Sequence, residues 1–196
     1  VTGGTTFTGS ANFNPAATVS NVGALSIIAG VANFSSGETI SAVGATTQSG
    51  GTLEGSDLVQ LNALFTWSGG TQQGTGTTNA TLGMNITGNV NLIGSRVLNT
   101  TGPGVTTWSA GTIQSGNSVV WNNTGDLNIT GNNTINNAFG GSATFTNSGG
   151  TVTKMTGVGT TDWLITYNSS GPTNASSCTL NLGNGGSNSG GSNVAA

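Results

Sequence analysis

Phe65-Thr-Trp-Ser-Gly-Gly-Thr71 is the stretch on which the fold turns: an apolar, polar, apolar triplet followed at once by a turn of Ser and two Gly. Alternation with period two marks a short strand with one buried face, and the Gly pair marks a tight corner. The corner recurs at Ser49–Thr52 and Ser148–Thr151, with a variant Ser-Ala-Gly-Thr at Ser109–Thr112 and a degenerate Ser-Gly-Gly-Ser at Ser189–Ser192. Starts at 49, 68, 109, 148 and 189 are separated by about one, two, two and two multiples of roughly 20 residues, a period of solenoid coils. Gly turns stand near the skipped positions, at Thr87-Gly-Asn89, Thr130-Gly-Asn132 and Ser170-Gly-Pro172.

Working outward, alternating runs precede nearly every turn: Leu64–Trp67, Met84–Ile86, Val105–Trp108, Leu127–Ile129, Ala143–Thr146 and Leu164–Tyr167. Strands this short, without helical periodicity, predict an all-β chain: a right-handed parallel β-helix with roughly 20-residue rungs stacked about 4.8 Å apart. A pilin-like β-sandwich joined by strand donation is the alternative fold. One solenoid domain is expected over residues 1–196. Residues 1–48 read as less regular, because the interval from Gly3-Gly4 to Ala29-Gly30 exceeds one period, and 181–196 as a last coil or a linker. Asn122-Asn123, Asn132-Asn133 and Asn136-Asn137 read as corner residues with stacked amides, since Asn tolerates the left-handed conformation.

Composition narrows the function. The 196 residues include 35 Gly, no His and only 4% charged residues, against about 25% in a typical domain. The apolar third supplies a core, unlike the high-charge composition of disordered chains. The net charge is −3, from Glu38, Glu54, Asp57, Asp126 and Asp162 against Arg96 and Lys154, so no basic stripe exists for nucleic acid. No apolar run is long enough to insert in a membrane as a helix; the longest weakly polar one, Val22–Phe34, is broken by Gly, Ser and Asn.

Without His, neither a Ser/His/Asp nor a Cys/His nucleophile system can be built, and the common zinc sites lose their main ligand. No enzyme, catalytic residue, cofactor or metal site is expected. The close acidic pair Glu54 and Asp57 reads as solvated turn charges, because two carboxylates alone make a poor Ca²⁺ or catalytic site. Trp67, Trp108, Trp121 and Trp163 sit beside Leu, Val and Ile, favouring the core over an exposed sugar-stacking platform. Cys178 reads as a small buried side chain in the strand Cys178–Leu182. Thr-x-Thr pairs such as Thr144/Thr146 and Thr151/Thr153 raise ice binding, but along the sequence they recur at no fixed place in each rung. Asn-x-Ser/Thr sequons occur at Asn33, Asn79, Asn85, Asn99, Asn122, Asn128, Asn132, Asn168 and Asn174, a number that so much Asn, Ser and Thr gives by chance.

These stretches resemble the Gly/Asn/Thr-rich β-helical repeat regions of bacterial surface and secreted proteins, in the style of autotransporter passengers and filamentous-haemagglutinin-like adhesins. The resemblance rests on Phe65–Thr71 with Gly74–Thr78, Arg96–Asn99 with Thr107–Ile113, Phe145–Lys154 and Cys178–Gly183, and covers residues 49–196. It implies a parallel β-helix, export, and no catalytic residues; such regions usually sit in very long chains with anchoring or export domains.

The expectation is therefore a structural or adhesive solenoid of the cell surface or extracellular space. Its partners are other copies of itself, stacked head to tail into a filament, or adjacent repeats of a longer chain. A carbohydrate- or ice-binding module is the alternative.

Overall fold

The computed structural model describes residues 3–19, 21–155, 159–176 and 178–194. Among them the regular structure is all strand, wound into a β-solenoid of about 9 turns with rungs of about 21 residues. Each turn contributes one strand to each of three parallel sheets, of ten, nine and nine strands. Sheet I runs from Thr5–Phe7 through Thr46–Gln48, Phe65–Trp67 and Val152–Lys154 to Ser192–Val194. Sheet II runs from Ala11–Phe13 to Thr179–Leu182, and sheet III from Asn21–Val22 to Gly186–Asn188. No helix is long and apolar enough to cross a membrane.

The coil is set by register. Leu25, Thr46, Phe65 and Met84 are successive partners in sheet I, as are Ile27, Gln48, Trp67 and Ile86 two residues on. Both columns point inward, and the residue between them points out. Rung length varies: Thr46 pairs with Phe65, 19 residues on, whereas Leu127 pairs with Val152, 25 on. The strands keep their register because corners absorb the extra residues.

Those corners explain the Gly-rich motif. Gly70 has φ +84°, and a Cβ there would stand 2.4 Å from the Gly50 carbonyl oxygen of the preceding rung. A left-handed backbone and close stacking of one rung on the next both demand Gly. The turns at Ser49–Thr52, Ser68–Thr71 and Ser109–Thr112 all join sheet I to sheet II, but Ser148–Thr151 and Ser189–Ser192 join sheet III to sheet I. The step from 109 to 148 thus passes from one corner to another, whereas the step from 148 to 189 spans two rungs at one corner. Gly3-Gly4 and Ala29-Gly30 also stand on opposite sides of sheet I, and the strands they flank pair with ordinary spacing, Thr5 with Leu25. Residues 179–182, 186–188 and 192–194 form a last rung.

One apolar column fills the interior. All four Trp are buried, joined by Phe7, Phe34, Phe65, Phe145 and Tyr167. Trp163 is its hub, with ring centroids 4.8 Å from Phe145, 5.4 Å from Tyr167, 5.7 Å from Trp108 and 6.0 Å from Trp121. Offset and edge-to-face pairs of this kind add to the gain from burial alone. The exposed aromatic platform for sugars is therefore not formed by these residues.

Candidate functional site: the outer faces

Alternation along each strand, repeated rung after rung in register, turns isolated polar residues into columns. On sheet I the outward column is Thr47, Thr66, Asn85, Thr107, Asn128 and Thr153. Two residues further along each strand, at the corner, lies a second column of Ser49, Ser68, Thr87 and Ser109. The ladder continues through it, with Ser49 N–H donating to Ile27 O, Ser68 to Gln48 O, Thr87 to Trp67 O and Ser109 to Ile86 O. Hydroxyls and amides thus share one outward place on these rungs, although Thr-x-Thr itself does not recur: Asn85 and Asn128 interrupt the Thr column and Met155 ends the corner column. The pairs Thr144/Thr146 and Thr151/Thr153 had concealed this, because the first lies on sheet III and the second on sheet I.

Sheet III carries an amide column. Asn79 Nδ2 donates to Gln60 Oε1 at 3.0 Å, Asn99 to Asn79 Oδ1 at 2.6 Å, and Asn122 to Asn99 Oδ1 at 3.0 Å. Stacked amides are therefore present, but on a strand face. Asn122-Asn123 lies within the strand Val119–Asn123, not at a corner, and Asn136 closes the strand Thr134–Asn136. Asn132-Asn133 does lie at a corner, with Asn133 buried and its Nδ2 donating to Trp108 O. Among the described residues the left-handed non-Gly positions are instead Asn117 and Ser118, at φ 58° and 71°.

The columns also account for the sequons. An outward mid-strand Asn, an inward residue and an outward Ser or Thr at the corner make Asn-x-Ser/Thr automatically, as at Asn79, Asn99, Asn122 and Asn168 on sheet III and Asn85, Asn128 and Asn174 on sheet I. Their number follows from strand geometry rather than from chance alone.

Charges are placed unexpectedly. Asp57 is buried: its carboxylate accepts from Ser36 N–H and Oγ, both at 2.7 Å, and from Gly37 N–H at 2.9 Å. It clasps the corner of the preceding rung and is not a solvated charge. Glu54 engages the following rung, accepting from Gln73 Nε2 at 2.6 Å beside an open groove of about 500 Å³. The two carboxylates thus serve different rungs. Among the described residues no group of three or more His, Cys, Asp or Glu could hold a metal.

Both cations are interior. Arg96 is buried and donates to Thr78 Oγ1 from Nε and Nη2 and to Gln73 O from Nη1. Burial pulls its pKa down to about 10, because desolvation disfavours the charged form. Lys154 Nζ donates to Gly131 O, and burial lowers its pKa too, partly opposed by Cys178. The described outer faces therefore carry carboxylates and neutral polar groups without a balancing cation. Cys178 is half-buried and precedes the strand Thr179–Leu182, with Sγ 3.1 Å from Ser176 O, so it is not a core residue. Nothing in the sequence told these inward charges from outward ones, since a corner residue can face either way.

The chain matches no family model, no curated protein and no solved structure.

Proposed function

We propose that the chain is a structural β-solenoid of a cell-surface or extracellular fibre, a stiff spacer whose first and last rungs are covered by further rungs. The observation that carries this reading is the state of those two rungs. At the first, Phe7, Phe13, Phe34, Val19 and Val22 line a cavity of about 330 Å³ that opens the aromatic core. At the last, Leu182 is exposed beside a hollow formed with Tyr167, Gly185 and Gly186. Strand edges with free N–H and C=O groups over an open core pair readily with another strand unless charge, Pro or a covering segment blocks them. No charged residue occurs in the last-rung segment 179–194, and Gly, Ser and Asn dominate it. The covering rungs are further repeats of a longer chain or a second copy stacked head to tail.

The sparsely charged outer faces and the resemblance to surface adhesin repeats support the extracellular placement, since sparse charge weakens the repulsion that keeps cytosolic proteins apart. The test is negative-stain electron microscopy of the purified 196-residue chain and of Leu182→Lys, which puts a charge on the last edge. Filaments with an axial repeat on the order of 45 Å, lost in the variant, are the expected result. Dispersed single particles at high concentration would sink the self-stacking form.

A further inference from the structure

We propose that the outward face of sheet I binds ice. The reading is independent of end-to-end stacking, because it concerns a lateral face and survives if the ends never join.

Three observations carry it. First, the array is two-dimensional. Thr47/Ser49, Thr66/Ser68 and Thr107/Ser109, with Asn85/Thr87 between them, occupy four consecutive rungs of sheet I. Spacing is about 4.8 Å between rungs and roughly 6.6–6.8 Å between the two positions of one strand, the scale on which oxygens repeat across an ice plane.

Second, most of these groups are left to solvent, although Ser109 Oγ donates to Ile86 O at 3.3 Å. The amides of sheet III bond to one another along the rod. On sheet I the side chains of Thr66, Asn85 and Thr107 are engaged by no other described side chain, while Thr47 donates to Ser26 Oγ at 3.1 Å. An unengaged hydroxyl or amide offers both donor and acceptor to a water, and ordered waters bound this way cost little entropy when already held in place.

Third, both columns are free of charge over these rungs, and Asp126, at the corner before Asn128, only borders them. A neutral lattice of donors and acceptors complements the neutral lattice of ice, whereas an ionic group orients water radially about itself. The rigid β-ladder beneath fixes the positions, so no ordering of loops accompanies binding. The burial of all four Trp removes the stacking surface that a crystalline polysaccharide would use.

The experiment is thermal hysteresis and ice-recrystallisation inhibition of three proteins: the natural chain, the double variant Thr66→Tyr/Thr107→Tyr on sheet I, and Thr144→Tyr on sheet III. All three positions point outward, so circular dichroism and melting temperature should be shared. The natural chain and the sheet III variant shape ice crystals and inhibit recrystallisation, and the sheet I variant loses both. A natural chain that leaves ice unshaped overturns the proposal, as does equal loss in the sheet III variant. Face-to-face dimerisation through sheet I without ice shaping overturns it as well.

Discussion

A residue in this coil is judged by the neighbour one rung away. At Gly70 that neighbour is the Gly50 carbonyl, so a methyl group must both adopt the left-handed region and displace stacked backbone. Asn117 and Ser118 adopt that region without being Gly, held by bonds from Asn117 N–H to Gly140 O and from Ser118 N–H to Ser142 O. The two sites predict opposite outcomes in chemical denaturation. Gly70→Ala should lower stability by about 2 kcal/mol or more. Ser118→Gly should raise it by about 0.5–1 kcal/mol, because relief of the left-handed backbone exceeds the added freedom of the unfolded chain. A destabilised Ser118→Gly would mean that its corner is not strained. At this scale the sequence was legible where a residue has one role and opaque where it has two. Gly corners were readable. Asp57 was not, because a carboxylate at a turn looks alike whether it faces water or clasps Ser36 and Gly37 one rung back.

A strand here is three to five residues long and gains stability only through its column. Phe65–Trp67 buries Phe65 and Trp67 and turns Thr66 outward, and the next two strands of the sheet, Met84–Ile86 and Thr106–Trp108, repeat the pattern. That alternation was visible in the sequence, and so were four consecutive strands of sheet I, from Phe65–Trp67 to Leu127–Ile129. The columns were not visible, because they depend on rung lengths that vary between 19 and 28 residues. A fixed 20-residue ruler therefore assigned Ser148–Thr151 to the wrong corner and missed the outward hydroxyls of sheet I. The aromatic column offers the sharpest test at this scale. Trp163 contacts four rings from other strands, so Trp163→Ala should destabilise by about 3–5 kcal/mol, read as a shift in urea midpoint. A loss under 1 kcal/mol would show that the rings do not share one packed core.

The whole molecule is quasi-one-dimensional: each rung touches its two neighbours, and stability is a sum of rung and interface terms. The two proposed roles follow the same geometry, assembly belonging to the ends and ice recognition to one face. All of it rests on equal axial steps between rungs of unequal length. Spin-label distances between Cys substituted at outward positions of sheet I, with Cys178→Ser to leave one pair, measure those steps directly. Thr47 and Asn128 are four rungs apart, and Thr47 and Asn174 six, by the register of sheet I. The account predicts narrow distributions with backbone separations of roughly 19 and 29 Å, although the second interval includes the 25-residue rung. Broad distributions, or a second distance no longer than the first, would contradict a stacked coil.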